Sequence, residues 1–424
     1  MTINDIYCFK SNMRVLQHNN RAIIANIHTG EWTKISKECL NILNAGIEHK
    51  MSFSQLCDCI GDADDKDYMS KIFQQMLALD VVGKTDETEY IKCEQVNFAI
   101  THRCNLSCTH CCVDADGLTG IEYLNTDDCK DIINKVIDVN PKQIIFTGGE
   151  PLIREDFWEL LDYTSKNYDG QIVIMTNATL INETNIKELV KYAYSLDISI
   201  DGIDEETCSS IRGKGVFNKV IQNIKSLKDH NFNNIVLSMV KTKETEKYEK
   251  KFYELNDALG TKGIIRVFSP IGRGETNEKQ LKTDEIYSGL SSENPEDSSD
   301  KDDNITNGMK VFHCGALTKS IYIDYKGFIF PCALLTREEY SLGNIKNISS
   351  LDIYLKERKY KSCAEYNTYQ KLYPDKTEKC KDCDVNLFCW SCLHFIDLAK
   401  CRKLEISDRC KERKHDLTKI IWGE

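Results

Sequence analysis

The sequence predicts an α/β protein: a parallel barrel or open sheet, preceded by a small winged-helix-like α+β domain and followed by a cysteine-rich tail. Three observations carry that expectation. Between residues 95 and 275, six short apolar runs alternate with amphipathic helical patterns. Ahead of them, β-rich runs give way to three helical patterns. Of the 20 cysteines in the chain, nine fall after residue 310.

The front unit spans residues 1–93. "MRVLQHNNRAIIANIHTG" reads as a hairpin with Asn19–Asn20 at its turn. Ser36 is the expected N-cap of a helix with Leu40, Leu43 and Ile47 on one face. A short helix in "SFSQLCDCI" follows, then one with Met69, Ile72, Phe73, Met76 and Leu77 at helical spacing. Cys8, Cys39, Cys57, Cys59 and Cys93 are expected to be buried small apolar residues.

Length and charge narrow the function. A chain of 424 residues calls for two or three domains. The formal net charge of −11 argues against nucleic acid, which wants a basic stripe. No apolar run is long enough for a membrane span, and the first residues show no signal-peptide pattern. A cytoplasmic location is therefore expected. Thiols stay reduced there, so clustered cysteines read as metal ligands rather than disulfides.

The βα region covers 94–275. Its candidate strands are 96–101, 143–148, 171–177, 196–201, 234–240 and 263–269, with Thr126 as N-cap of the first intervening helix. In a barrel, chemistry belongs at the C-terminal ends of the strands. "RCNLSCTHCC" stands there, after the first strand. Cys104, Cys108 and Cys111 have the spacing C-x3-C-x2-C. Three thiolates on one loop can hold three corners of an iron–sulfur cube and leave one iron open. They can also hold zinc, with His110, Cys112 or a remote residue as fourth ligand. The spacing alone leaves both open. The second strand ends in Gly148–Gly149–Glu150, where two glycines permit close backbone approach ahead of a carboxylate.

With the cysteine loop and this glycine pair together, the region resembles the radical S-adenosylmethionine superfamily. That resemblance implies a partial (β/α)6 TIM-like barrel and an iron–sulfur cluster on Cys104, Cys108 and Cys111. It implies cofactor contact by Gly148, Gly149 and Glu150, and less specifically by Asn177, Ser199, Asp201 and Arg212. Ser199 and Arg212 would meet the cofactor carboxylate. The implied chemistry is one-electron cleavage of S-adenosylmethionine to a 5′-deoxyadenosyl radical, which removes a hydrogen atom from the substrate. Cys112 is surplus to the motif and is expected to be a packed residue.

Residues 276–308 are polar and acidic and read as a linker. In the tail, 309–424, "YIDYKGFIFPC" reads as a hairpin turning at Lys326–Gly327. Cys314, Cys332, Cys380, Cys383, Cys389, Cys392 and Cys410 follow a pattern similar to the twin-cluster SPASM extension. It departs at Cys392, which is separated from Cys389 by two residues where the family usually has three. The resemblance implies one auxiliary cluster on Cys380, Cys383, Cys389 and Cys410. It implies another on Cys314, Cys332 and Cys392, whose fourth ligand is Cys363, Cys401 or absent. Counting the first, three [4Fe-4S] clusters are expected.

The front domain resembles the leader-recognition domain of ribosomal-peptide maturases, which binds a peptide as an added strand. The expected function is therefore oxidative cross-linking of a ribosomally made precursor peptide bound through its leader, with a thioether favoured. An electron donor such as a flavodoxin or ferredoxin is implied. The alternatives are a carbon–carbon or carbon–oxygen cross-link, protein maturation of the anaerobic sulfatase-activating kind, and a non-catalytic zinc-bearing interaction protein.

Overall fold

The computed structural model describes residues 2–85, 93–283, 308–402 and 407–423, without side chains at 407–409 and 412. Of the expected linker, 284–307 lies outside the described residues, and Glu278–Leu281 is a short helix. The chain divides into two compact units. One gathers 2–85, 308–315, 369–402 and 407–423; the other gathers 93–283 and 316–368. The cysteine-rich tail is thus shared between them.

In the first unit, β1 (Tyr7–Phe9) pairs with β5 (Val82–Lys84). A separate antiparallel sheet has the order β2 (Met13–His18), β3 (Arg21–Asn26), β4 (Trp32–Ser36). Asn19 turns the first hairpin with φ +50°. Three helices follow: α1 (Lys37–Glu48), α2 (Phe53–Asp58) and α3 (Ala63–Ala78). Ser36 caps α1 by accepting from the Cys39 N–H. Side chains alternate across the sheet. Ala22, Ile24 and Ile35 pack on α1–α3 with Leu40, Leu43, Phe73 and Met76. Leu16, Ile23 and Ala25 pack the other way, onto Leu387, Phe388, Leu417, Ile421 and Trp422 of the tail. Both faces are therefore covered.

The scattered cysteines divide. Cys39 and Cys93 are buried as expected. Cys8 and Cys57 are half-buried, and Cys59 is exposed because it sits at the C-cap of α2.

The second unit holds a parallel sheet of β6 (Gln95–Thr101), β7 (Gln143–Gly148), β8 (Gln171–Thr176), β9 (Ser195–Ser199), β10 (Ile235–Lys241) and β11 (Lys262–Val267). The sheet has eight strands, because β12 (Ser320–Ile323) adds in parallel to β6 and β13 (Ile329–Phe330) pairs with β12. The hairpin expected in the tail is therefore part of the main sheet. Its turn carries Gly327 at φ +85°. Together with its helices this is the α/β partial barrel.

The register explains its two faces. Val96, Phe98, Ile144, Phe146, Ile172, Ile174, Leu196, Ile198 and Leu237 share one side and are buried. Asn97, Thr147, Asp197, Ser199, Ser238 and Tyr322 share the other. One face thus makes the apolar core and the other carries polar groups, as a barrel with a working interior requires.

The first barrel helix, Thr126–Val139, is capped by Asn125 rather than Thr126. Asn125 and Asp128 form a reciprocal capping box, which frees the Thr126 hydroxyl to donate to Asp156 at 2.7 Å. Among the described residues no helix is long and apolar enough to cross a membrane.

Candidate active site

The site is assembled at the ends of β6–β9. The end of β7 is joined to the chain leaving β6: Gly149 N–H donates to the Thr101 carbonyl and Glu150 N–H to that of Arg103. A Cβ on Gly148 would lie 2.1 Å from the Thr101 oxygen, and one on Gly149 would lie 2.1 Å from that of Arg103. Gly148 also has φ +129°. Both glycines are therefore required by the backbone approach that launches the cysteine loop.

Glu150 is fully buried. Its carboxylate accepts from the Thr176 hydroxyl and the Asn177 N–H, each at 2.7 Å, and from the Leu152 N–H at 3.2 Å. It ties β7 to β8. Burial raises its pKa against those hydrogen bonds. Asn177 donates to Asn105 at 2.9 Å, and the same amide nitrogen lies 3.9 Å from Cys104 Sγ. Ser199 is half-buried in register with Ser238.

Asp201 follows β9 in a left-handed turn, φ +49°. Its neighbour Gly202 leaves no room for a Cβ, which would meet the Cys208 nitrogen at 2.4 Å. One carboxylate oxygen of Asp201 accepts from Arg212 Nε at 2.6 Å and faces His110 Nε2 at 2.5 Å. The other accepts from the Val240 N–H at 2.5 Å. Burial alone would raise the Asp201 pKa, but Arg212 and His110 hold it well below the ordinary carboxylate range. Arg212 Nη1 lies 3.7 Å from Cys108 Sγ.

The cysteine loop is held from three sides. Besides the β7 contacts, Thr109 N–H donates to the Ile211 carbonyl at 3.0 Å. From the segment after β11, Arg273 Nε donates to the Cys108 carbonyl at 3.1 Å and Asn277 Nδ2 to that of Thr109 at 2.9 Å. Gly272, at φ +58°, lets this segment pass close to the Cys111 and Cys112 carbonyls. Arg273 and Asn277 escaped the sequence reading. The "GRGETN" stretch a few residues beyond the last barrel strand is the signal that could have found them.

The three thiols form one electrostatic group. Burial pushes Cys104 up to about 11, and the charges of Glu150, Cys108 and Cys111 add to that. Burial also raises Cys108, with Arg212 opposing. Among the described residues, no three His, Cys, Asp or Glu side chains converge closely enough for one metal ion. Thiols whose neighbours on the same loop raise the cost of ionisation, as at Cys104 and Cys108, suit a cationic multi-iron core that would favour the thiolates. The residues therefore fit an iron–sulfur cluster on Cys104, Cys108 and Cys111.

In the first unit, Cys380 interacts electrostatically with Cys383, Cys389 and Cys410. Burial raises both Cys380 and Cys383. The other three thiols of the expected set thus lie within electrostatic range of Cys380 in one unit. Cys392 is the N-cap of the helix Leu393–Cys401, and burial raises its thiol against the His394 and Phe395 amides. Cys314 lies in the same unit; Cys332 and Cys363 lie in the other. Tyr354 Oη stands 3.9 Å from Cys363 Sγ, and Cys401 Sγ stands 3.7 Å from Asp397.

A cavity of about 260 Å³ opens at the ends of β6 and β12. Thr101, His102, Cys112, Tyr322, Asp324 and Tyr325 are among its walls, and it reaches Gly148. His102 stacks on Tyr325 with centroids 4.2 Å apart and donates from Nε2 to the Val113 carbonyl. Cys112, expected to be packed, is exposed by surface area and lines this cavity. Its thiol is nonetheless pushed up to about 11 by the mass of protein around it.

Residues 98–255 match the radical SAM superfamily, and residues 314–384 match the iron–sulfur cluster-binding domain SPASM. The mycofactocin maturase MftC of Mycolicibacterium smegmatis is 28% identical over 274 residues, 59% of this chain and 67% of that protein. The antilisterial bacteriocin subtilosin biosynthesis protein AlbA of Bacillus subtilis is 28% identical over 343 residues, 76% of this chain and 73% of its own. Among solved structures, Streptococcus suis SuiB bound to S-adenosylmethionine superposes with a TM-score of 0.52 at 16% identity, covering 92% of this chain and 96% of that one. That last likeness is one of fold. The chain carries a radical SAM domain and a SPASM iron–sulfur domain on one α/β scaffold, and it is a radical SAM enzyme.

Proposed function

We propose that this enzyme matures a ribosomally made precursor peptide by installing an oxidative cross-link, a thioether in first preference. The single observation that carries the reading is the launch of the three-cysteine loop from β6 against Gly149 and Glu150 of β7, with a cavity at the ends of β6 and β12 that reaches Gly148. Two relatives support it by name, one a maturase and one a protein of bacteriocin biosynthesis. SuiB, which shares the fold, has been seen with its precursor peptide SuiA.

In this reading Cys104, Cys108 and Cys111 hold the first cluster. Gly148–Glu150, Asn177 and Ser199 would contact S-adenosylmethionine, with Arg212 held behind them by Asp201. When bound, these groups supply one-electron cleavage of a sulfonium and a radical that abstracts hydrogen. The protein's share is placement. The cofactor residues lie at the ends of β7, β8 and β9, while the cavity lies toward β6 and β12. Cofactor and substrate residue would flank each other at Gly148. The cavity is smaller than ordinary drug-sized pockets, so only a part of a peptide would enter it.

Cys380, Cys383, Cys389 and Cys410 would hold one auxiliary cluster, and Cys314, Cys332 and Cys392 another, making three [4Fe-4S] clusters. These suit a reaction that removes two hydrogens in total, because a substrate radical must surrender an electron to become a closed-shell product. A flavodoxin or ferredoxin would supply electrons to the first cluster.

The front unit would bind the leader. Its sheet has both faces covered, so a peptide can join only at an edge, and among the described residues β2 and β4 each pair only with β3. Co-expression with each short reading frame flanking the gene, followed by mass measurement, tests the function. A peptide lighter by two hydrogens, with a sulfur–carbon bond in fragmentation, is expected. Peptides unchanged in mass would overturn the cross-linking assignment.

A further inference from the structure

We infer that Asp201 and Arg212 are a positioning pair that sets the charge around Cys108, with His110 as the tie to the cysteine loop. The inference rests on the reading of Cys104, Cys108 and Cys111 as cluster ligands.

Arg212 was expected to face the cofactor carboxylate. The structure commits most of its guanidinium elsewhere. Nε and Nη2 meet one oxygen of Asp201 at 2.6 and 2.5 Å, and Nη1 stands 3.7 Å from Cys108 Sγ. The Arg212 side chain is 9% exposed and that of Asp201 1%. Water therefore screens neither charge well. A cation within reach of a sulfur ligand favours the extra negative charge of a reduced cluster. A carboxylate behind it partly cancels that field. Net charge and hydrogen bonds to sulfur are the levers by which a protein tunes such a cluster.

The same carboxylate fixes position. His110, between Cys108 and Cys111, faces Asp201 Oδ2, and the Val240 N–H anchors Oδ1 to β10. The left-handed turn at Asp201 and the crowding at Gly202 hold the carboxylate in place. One buried side chain thus fastens the cysteine loop to two neighbouring strands and aims the cation at one ligand.

The test uses the full chain, purified anaerobically with its iron and titrated in the absence of S-adenosylmethionine. The cluster to follow is the one whose paramagnetic resonance signal changes when S-adenosylmethionine is afterwards added. Arg212→Gln is expected to lower its midpoint potential and Asp201→Asn to raise it. Arg212→Lys, which keeps the charge, is expected to lie closer to the parent. Shifts of the same sign, or no shift, overturn the inference, since a purely structural role gives no opposite signs. If Asp201→Asn does not accumulate, the two Arg212 variants decide alone: equal potentials for Lys and Gln overturn it. Thermal melting of the iron-loaded chain gives a separate readout. His110→Asn should lower its melting temperature, and an unchanged value would remove the tie through His110. A parent protein with no signal responsive to S-adenosylmethionine would instead overturn the functional reading itself.

Discussion

Gly149 shows how a single residue can govern the site. A methyl group there would need to occupy space 2.1 Å from the Arg103 carbonyl oxygen. Because that carbonyl also accepts the Glu150 N–H, neither strand end can yield without losing a hydrogen bond. Gly149→Ala is expected to destabilise the chain by about 1–3 kcal/mol, in the range of overpacked sites. Cofactor cleavage should fall further than stability does. Thermal melting and 5′-deoxyadenosine yield check the two effects separately. Asp201 makes a pH-dependent prediction. Its pKa is depressed in the folded chain, so it contributes stability above the ordinary carboxylate value of about 3.9. That contribution is lost as pH falls through the depressed folded value. The stability gap between parent and Asp201→Asn, measured on the metal-free chain, should therefore narrow on acidification. A gap independent of pH would contradict the assignment. Much at this scale was legible: the C-x3-C-x2-C spacing and the glycine pair are local patterns. What Asp201 holds was not legible, because His110, Arg212 and Val240 meet it only through the turn after β9.

At the scale of elements, the βα alternation was readable because each barrel strand is a short apolar run bounded by turns. The strand positions match the expected ones to within one or two residues, and the hairpin at Asn19–Asn20 forms as expected. Other features escaped, the β1–β5 pair and three more among them. β4 carries Trp32, Lys34 and Ser36 among polar residues and looks like loop. β12 looks like half of an isolated hairpin, and its parallel register with β6 is a long-range fact. The C-terminal helix, Ser407–Trp422, covers the second face of the front sheet, a partnership between the two ends of the chain. Trp422 is central to it. It is 1% exposed, stacks on His18 at 5.2 Å and donates to the Asp384 carbonyl at 3.2 Å. Trp422→Ala should cost about 3–5 kcal/mol, as large-to-small changes of buried aromatics do. Chemical denaturation of the variant checks this. A loss below about 1 kcal/mol would mean that the tail helix does not support the sheet.

At the scale of the molecule, both compact units bear cysteine sets, and those of the tail fall on both sides of the division. The sequence reads the tail as one stretch because its cysteines follow one pattern. Residues 316–368 nevertheless gather with the barrel, since β12 pairs in parallel with β6 and carries β13 with it. Iron analysis therefore has a definite expectation: about twelve irons per chain for three cubes. Alanine at Cys380, Cys383, Cys389 and Cys410 should remove about a third of that iron and leave S-adenosylmethionine cleavage in place. Loss of cleavage as well would show that the outer set supports the first site directly. The most direct test of the whole account is the yield of 5′-deoxyadenosine from the reduced, iron-loaded protein, with and without alanine at Cys104, Cys108 and Cys111. The account predicts formation by the parent and none above background from the triple variant, whose tail thiols remain. Equal yields from the two proteins would contradict it.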